Sequence, residues 1–283
     1  MSGETLRSFT DGNESGPTIV FVHGWPDDHT MWDKQVAHLR DRYRCVTTDL
    51  PGFSGDQDAG TTNKWGYSFE DVAKRLERTI EAVGKGKPVF LVSHDWGCLY
   101  AYVLEQNRRD LVKKFVALDV GGGQSLWPSV SLWAIVMYQT YLIFAFLIGG
   151  PIGDRMARWF ALGAKCPLAS KVARASVCYP YFHCWKTILT CGAGMGPFTP
   201  QCPVLYMYGT GGFKRLLTFH AKWWLDEVRM KKGSSVVEVT GASHWLMMDQ
   251  GTDVVNARLD AFFAEEHPRP AIVLEGQKRP VML

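Results

Sequence analysis

Val92-Ser93-His94-Asp95-Trp96-Gly97-Cys98 (VSHDWGC, residues 92–98) follows the apolar run PVFLV and precedes a helical pattern. A buried strand that turns sharply into a helix needs small neighbours at the turn, and Gly97 supplies one. The helix then points its free amides and positive dipole end at the turn, which favours negative charge there. In turns of the form G-x-S-x-G the central residue is a serine nucleophile; here it is Asp95. An aspartate at this place is equally suited to capping the helix. The turn alone does not decide between the two roles; its partners must.

Outward from the turn, short apolar runs alternate with helical patterns. TIVFVHG (18–24), YRCVTTDL (43–50), PVFLVSH (88–94), VKKFVALD (112–119), PVLYMYG (203–209) and SSVVEVTG (234–241) read as strands. TMWDKQVAHL (30–39), SFEDVAKRLERTIEAVG (68–84), residues 97–107, a segment near 219–231 and residues 252–265 read as helices. The second of these opens with a Ser68 cap and is expected to close at Gly84. Such alternation predicts an α/β fold, a mostly parallel central sheet flanked by helices. The alternation stops for about eighty residues after 120, and an interruption of that size predicts an inserted α-helical cap. The expected layout is a core from residues 1–121 and 201–266, a cap over 122–200, and a loose Pro-rich tail over 267–283.

Composition narrows the class. With 283 residues, 46% hydrophobic and 21% charged, the chain can bury a large core. A net charge of +3 without basic runs gives no nucleic-acid face. The polar opening MSGETLRSFTDGNESG does not read as a secretory signal. Seven cysteines, an odd number without a C-x-x-C pair, fit reduced thiols in a cytoplasmic compartment. Cys178, Cys184, Cys191 and His183 match no common zinc spacing, so no metal site is expected. Within the cap, LWAIVMYQTYLIFAFLIGG (132–150) is intensely apolar and long enough to span a bilayer. Because a spanning helix would separate two halves of one sheet, the expectation is a buried cap helix facing an apolar pocket. Weak membrane contact through the apolar cap is the second reading.

Two further motifs stand in a telling order. FVHGWPDD (21–28) follows an early strand, and its His-Gly-x-Pro turn can aim a backbone N–H at the same pocket. GASHWLMMDQ (241–250) follows the last strand and offers His244 on a loop. His23 and His94 belong to turn motifs and are read as structural, as is Asp49 in TTDLPG. A nucleophile followed late in the chain by a histidine is the chain order of the α/β-hydrolases.

HGWPDD, SHDWG and GASHW together resemble the epoxide hydrolase and haloalkane dehalogenase branch of that fold, closest to soluble epoxide hydrolases. The resemblance covers roughly residues 15–120 and 200–265. It implies that Asp95 attacks a saturated carbon and forms an alkyl ester, which a water activated by His244 then hydrolyses. No metal or organic cofactor is implied. A carboxylate is already charged at neutral pH and attacks a strained or activated carbon directly, whereas serine needs a base to remove its proton. The amides of Trp25 and Trp96 are expected to form the oxyanion hole. Most relatives place the triad acid just beyond the strand matching PVLYMYG, but Thr210, Gly211, Gly212 and Phe213 follow here. The best substitute is Asp119, where some dehalogenases carry the acid.

The leaving group should be written in the cap. Opening an epoxide requires proton donors above the nucleophile, and Tyr138 and Tyr181 match the resemblance's two lid tyrosines. Tyr179 is the reserve, and with Trp25, Trp96 and Trp245 it is expected to contact substrate. A dehalogenase would need N–H donors for the halide, and Trp25 stands where many haloalkane dehalogenases carry Asn. Three readings follow: an epoxide hydrolase taking a small lipophilic substrate, a dehalogenase using the same aspartate, and a non-catalytic binder. Oligomeric state is not legible.

Overall fold

The computed structural model describes residues 4–53, 63–124, 129–191, 196–212 and 217–264; the expected tail and Phe213 lie outside them. Seven strands form one sheet: β1 (Arg7–Gly12), β2 (Thr18–Val22), β3 (Arg44–Asp49), β4 (Val89–His94), β5 (Val112–Leu118), β6 (Val204–Gly209) and β7 (Ser235–Val239). Their spatial order is β1-β3-β2-β4-β5-β6-β7. Only β1 runs antiparallel, with Arg7 opposite Asp49. The central strands β2, β4 and β5 are almost wholly buried and largely apolar because helices cover both faces.

Helices α1 (Asp33–Leu39), α2 (Phe69–Gly84) and α3 (Trp96–Asn107) flank the sheet. Ser68 caps α2 through a reciprocal bond pair with Asp71. Gly84 stays inside that helix, and the left-handed residue that ends it is Lys85, at φ 51°.

Between β5 and β6 the chain builds α4 (Val130–Ile148), α5 (Gly150–Gly163), α6 (Ala169–Val172) and α7 (Tyr179–Cys191). Beyond them α8 (Lys222–Met230) and α9 (Thr252–Phe263) complete the layers on the sheet. Since β5 and β6 are neighbours, the insertion leaves and rejoins the sheet at one place. Arg174 donates to the carbonyls of Gly52 and Phe53, and His183 bonds to the Trp65 carbonyl, which fasten the cap to the core. On the return, Glu105 of α3 accepts from the Gln201 and Cys202 amides.

The expectation that α4 is buried is overturned. Of its 19 residues only Leu142 and Ala145 are buried. The other side chains are half-buried or open to solvent, because the helix lies on top of the cap, with one side against α5, α7 and the turn at residues 175–178 and the other side facing out. Its apolar character runs all the way round, so composition carried no record of which side faces in.

Candidate active site

Asp95 sits between β4 and α3 with φ 52° and ψ −125°, a backbone conformation that costs a non-glycine residue about 1–3 kcal/mol. Neighbouring glycines make that turn possible. A Cβ on Gly24 would lie 2.5 Å from the Asp95 carboxylate, and one on Gly97 would lie 2.5 Å from the carbonyls of Val22 and His23. The turn is therefore locked between β2 and β4, and it presents the Asp95 side chain at the carboxyl edge of the sheet, where parallel α/β sheets gather reacting groups.

Three other elements end at that edge. The His-Gly-x-Pro turn after β2 directs the Trp25 amide to Asp95 Oδ1 at 2.8 Å. The Trp96 amide also bonds to Asp95. The loop after β7 places His244 Nε2 3.4 Å from Asp95 Oδ2. On its other side His244 Nδ1 bonds to Oδ2 of Asp119, which follows β5 and is fully buried. Asp119 Oδ1 accepts from the Gly209 amide at 3.1 Å, so the end of β6 fixes the carboxylate without supplying it. Asp95, His244 and Asp119 thus form one relay from three separate strand ends.

Burial by itself would lower the His244 pKa. The charge and hydrogen bond of Asp119, joined by those of Asp95, reverse that and raise it to about 9. Burial would likewise raise the Asp95 carboxyl, but the His244 bond and charge, His94 and the Trp96 amide hold it below the ordinary carboxylate value. At neutral pH the resting pair is a carboxylate facing an imidazolium. His94 is neutral, pushed down to about 3 by burial and by the charge of His244. It donates from Nε2 to the His244 carbonyl at 2.9 Å and so steadies the loop.

His23 is structural as well. Its Nδ1 meets the Gly24 carbonyl at 2.9 Å, and its Nε2 accepts from the Leu50 amide at 2.9 Å. Asp49 accepts from the His29 amide and ring.

A cavity of about 690 Å³ opens above Asp95, bounded by Trp25, Tyr138, Tyr181, His244 and Trp245 among others. Tyr138 of α4 and Tyr181 of α7 stand edge to face, their ring centres 6.0 Å apart. Burial raises both phenols, and the Asp95 charge adds to the shift. The protonated phenol is therefore the resting form of each. Gln139, which bonds the Trp185 indole at 2.8 Å, also reaches the Tyr138 hydroxyl at 3.4 Å.

Two expected contacts fall behind the wall. Tyr179 lies two residues before Tyr181 on α7, hence on nearly the opposite helix face. It packs between Phe53 and Tyr67, with Gly66 pressed against its Cβ, and does not reach the cavity. The Trp96 ring packs on Phe69 and stands edge to face with Tyr181, outside the cavity lining, so Trp96 supports Tyr181 from behind while its amide reaches Asp95.

Asp27 is the residue that sequence reasoning passed over. It is fully buried and receives the Trp245 indole N–H at 2.7 Å and the Cys166 thiol at 3.5 Å. Burial raises its carboxyl to about 7. It joins the His-Gly-x-Pro turn, the histidine loop and the cap. Its place inside HGWPDD was the one available signal. No group of three or more His, Cys, Asp or Glu suited to a metal occurs among the described residues.

Residues 19–258 match the alpha/beta hydrolase family, and the chain belongs to that family; it is an enzyme, a hydrolase. Epoxide hydrolase 1 of Caenorhabditis elegans is 23% identical over 91% of this chain and 67% of its own length. A shorter stretch, 41% of this chain, is 30% identical to the probable oxidoreductase EphD of Mycobacterium tuberculosis and spans only 20% of that protein. The Bacillus megaterium epoxide hydrolase superposes with a TM-score of 0.68 at 17% identity, covering 90% of this chain and 95% of that one, a likeness of fold. The relatives set the chain in the epoxide hydrolase and dehalogenase branch.

Proposed function

We propose that this hydrolase opens a lipophilic epoxide to a vicinal diol through a covalent ester on Asp95. The observation that carries the reading is a carboxylate facing two protonated tyrosines, Tyr181 buried and Tyr138 half-buried, across one apolar cavity, with a histidine–carboxylate pair at its back. Asp95 Oδ1 is occupied by the Trp25 amide, so Oδ2 is the attacking oxygen. It bonds to an epoxide carbon as the C–O bond breaks, and Tyr138 or Tyr181 donates its proton to the departing alkoxide.

Ester formation removes the Asp95 negative charge. That charge helps to hold the His244 pKa at about 9, so its loss lowers the pKa and lets the imidazolium return its proton to the tyrosinate, leaving a neutral imidazole when a base is needed. His244 then takes a proton from water, and the hydroxide adds to the Asp95 carbonyl carbon. The Trp25 and Trp96 amides, already aimed at that carboxyl, hold the oxyanion, a contribution of roughly 3 kcal/mol per donor. Collapse releases the diol as the leaving alkoxide takes the proton of the newly formed carboxylic acid, which restores the Asp95 carboxylate facing the His244 imidazolium.

A trapping experiment tests the reading. His244→Gln should permit attack and block hydrolysis, so incubation with lipophilic epoxides should add the mass of a whole epoxide to the Asp95 peptide. An alkyl adduct lacking halogen after exposure to haloalkanes, with none from epoxides, would replace this reading by dehalogenation. Absence of any adduct on Asp95 would remove it as the nucleophile.

A further inference from the structure

The cap carries a surface that the chemistry does not use. Along α4, Val130, Trp133, Met137, Phe144 and Ile148 recur at three-, four- and seven-residue intervals, share one helix face and are all exposed. Ile152 and Trp159 continue that apolar surface onto α5, where exposed Arg155 and Arg158 stand between them. Met137 is 69% exposed and Trp159 63% exposed, yet both line the cavity over Asp95. The mouth of the cavity therefore opens on this face.

Charge follows the same division. Residues 120–201 hold six Lys or Arg against a single acid, Asp154, while the rest of the chain holds 25 basic groups against 27 acidic ones. Asp154 itself is occupied by the Ala175 amide at 2.8 Å. The cap is thus a net cation with an apolar top, on a body that is slightly anionic. An exposed aromatic and aliphatic face flanked by cations is the pattern of a helix that lies in the plane of an anionic bilayer surface.

The 19-residue α4 is long enough to cross a bilayer, but the fold holds it flat. A Cβ on Gly153 of α5 would lie 2.3 Å from the Ala145 carbonyl, so α4 and α5 are in backbone contact. Leu142 and Ala145 are buried against the cap, and both ends of the insertion return to adjacent strands. Crossing would break all of these contacts.

We propose that the cap docks on an anionic lipid bilayer with α4 flat in the headgroup region and the cavity mouth facing the acyl chains. The lipophilic substrate then enters from the membrane instead of from water. Entry of substrate rests on the epoxide reading above; docking does not.

The full chain would be floated with vesicles of phosphatidylcholine alone and of phosphatidylcholine mixed with phosphatidylserine, at low and physiological salt. The expected result is flotation with the serine-containing vesicles, weakened by salt. The double variant Trp133→Glu with Ile148→Glu should weaken flotation by roughly tenfold or more, since two large apolar side chains no longer enter the interface. Neither residue lines the cavity, so that variant should keep its thermal midpoint and its turnover of a small, water-soluble epoxide. Arg155→Glu with Arg158→Glu should remove the preference for anionic vesicles. Failure to float with either vesicle would overturn the proposal, as would flotation indifferent to all four substitutions. Dimerisation abolished by the Trp133 and Ile148 changes, without vesicle binding, would assign the face to a second copy and overturn it too. A wild-type protein that floats but turns over no epoxide would defeat the proposed reaction and leave the docking intact.

Discussion

Asp119 Oδ2 and His244 Nδ1 share a hydrogen bond across 125 residues of sequence, although Asp119 follows β5 and the customary place for the acid is after β6. The two strand ends are adjacent, and the Gly209 amide at the end of β6 bonds the same carboxylate. An acid projecting from either end reaches the same imidazole nitrogen. Relocating it changes the strand and preserves the interaction.

That relationship predicts a selective kinetic defect. Asp119→Asn keeps the shape but loses the charge that fixes the tautomer and stabilises the imidazolium. Ester hydrolysis should fall by roughly 10³–10⁴-fold, while attack by Asp95 is less affected. Rapid-quench mass spectrometry should therefore find the Asp95 ester accumulating in the variant. Equal slowing of ester formation and breakdown would remove Asp119 from the hydrolytic step.

The His244 titration is a second test. With its pKa raised from 6.5 to about 9 in the folded protein, the group contributes stability that is complete below 6.5 and lost as pH rises through 9. Asp95→Asn deletes one of the two carboxylates responsible, so the imidazole should titrate at lower pH in that variant. Nitrogen-15 NMR of the His244 ring, compared between wild type and variant, reads this directly. An unchanged titration would mean that Asp119 alone sets it, and the proposed coupling between ester formation and release of the His244 proton would fail.

The tyrosines separate epoxide opening from halide displacement. Tyr138→Phe and Tyr181→Phe should each slow alkylation of Asp95 by epoxides by roughly 10²-fold, and the double variant should abolish it. Displacement of halide needs no proton, so any haloalkane reactivity should survive in the double variant. Epoxide turnover that persists without either hydroxyl would exclude both residues from the mechanism.

Much of this site was legible because its parts sit at strand ends, where turn residues stand in short, recognisable runs: HGWP, SHDWG and GASHW. With no carboxylate at 210–213, Asp119 was legible only through the resemblance to dehalogenases that carry the acid at that strand end. What escaped reading depends on direction rather than identity. Strand β1, RSFTDG, is a polar edge strand whose pairing with β3 gives no hydrophobic period. Tyr179 and Tyr181 are chemically alike and differ only in which face of α7 they occupy. The exposure of α4 is invisible in a helix that is apolar on every side. Asp27 draws its importance from Trp245 and Cys166, which lie 218 and 139 residues away.

Asp27 yields the last prediction. Burial raises its pKa from 3.8 to about 7, so the folded state binds this proton more tightly than the unfolded chain does. Stability from the group is full below 3.8 and is lost as pH rises through 7, a change on the order of 4 kcal/mol at about 1.4 kcal/mol per pH unit. Asp27→Asn keeps an oxygen to accept the Trp245 indole N–H and carries no titrating proton. The variant should match the wild type near pH 4 and become the more stable of the two at pH 8. His244 contributes to both proteins with the same sign, so the difference between their urea midpoints isolates Asp27. Parallel midpoints from pH 4 to pH 8 would mean that Asp27 is ionised throughout and that the Trp245 and Cys166 bonds suffice to hold its charge.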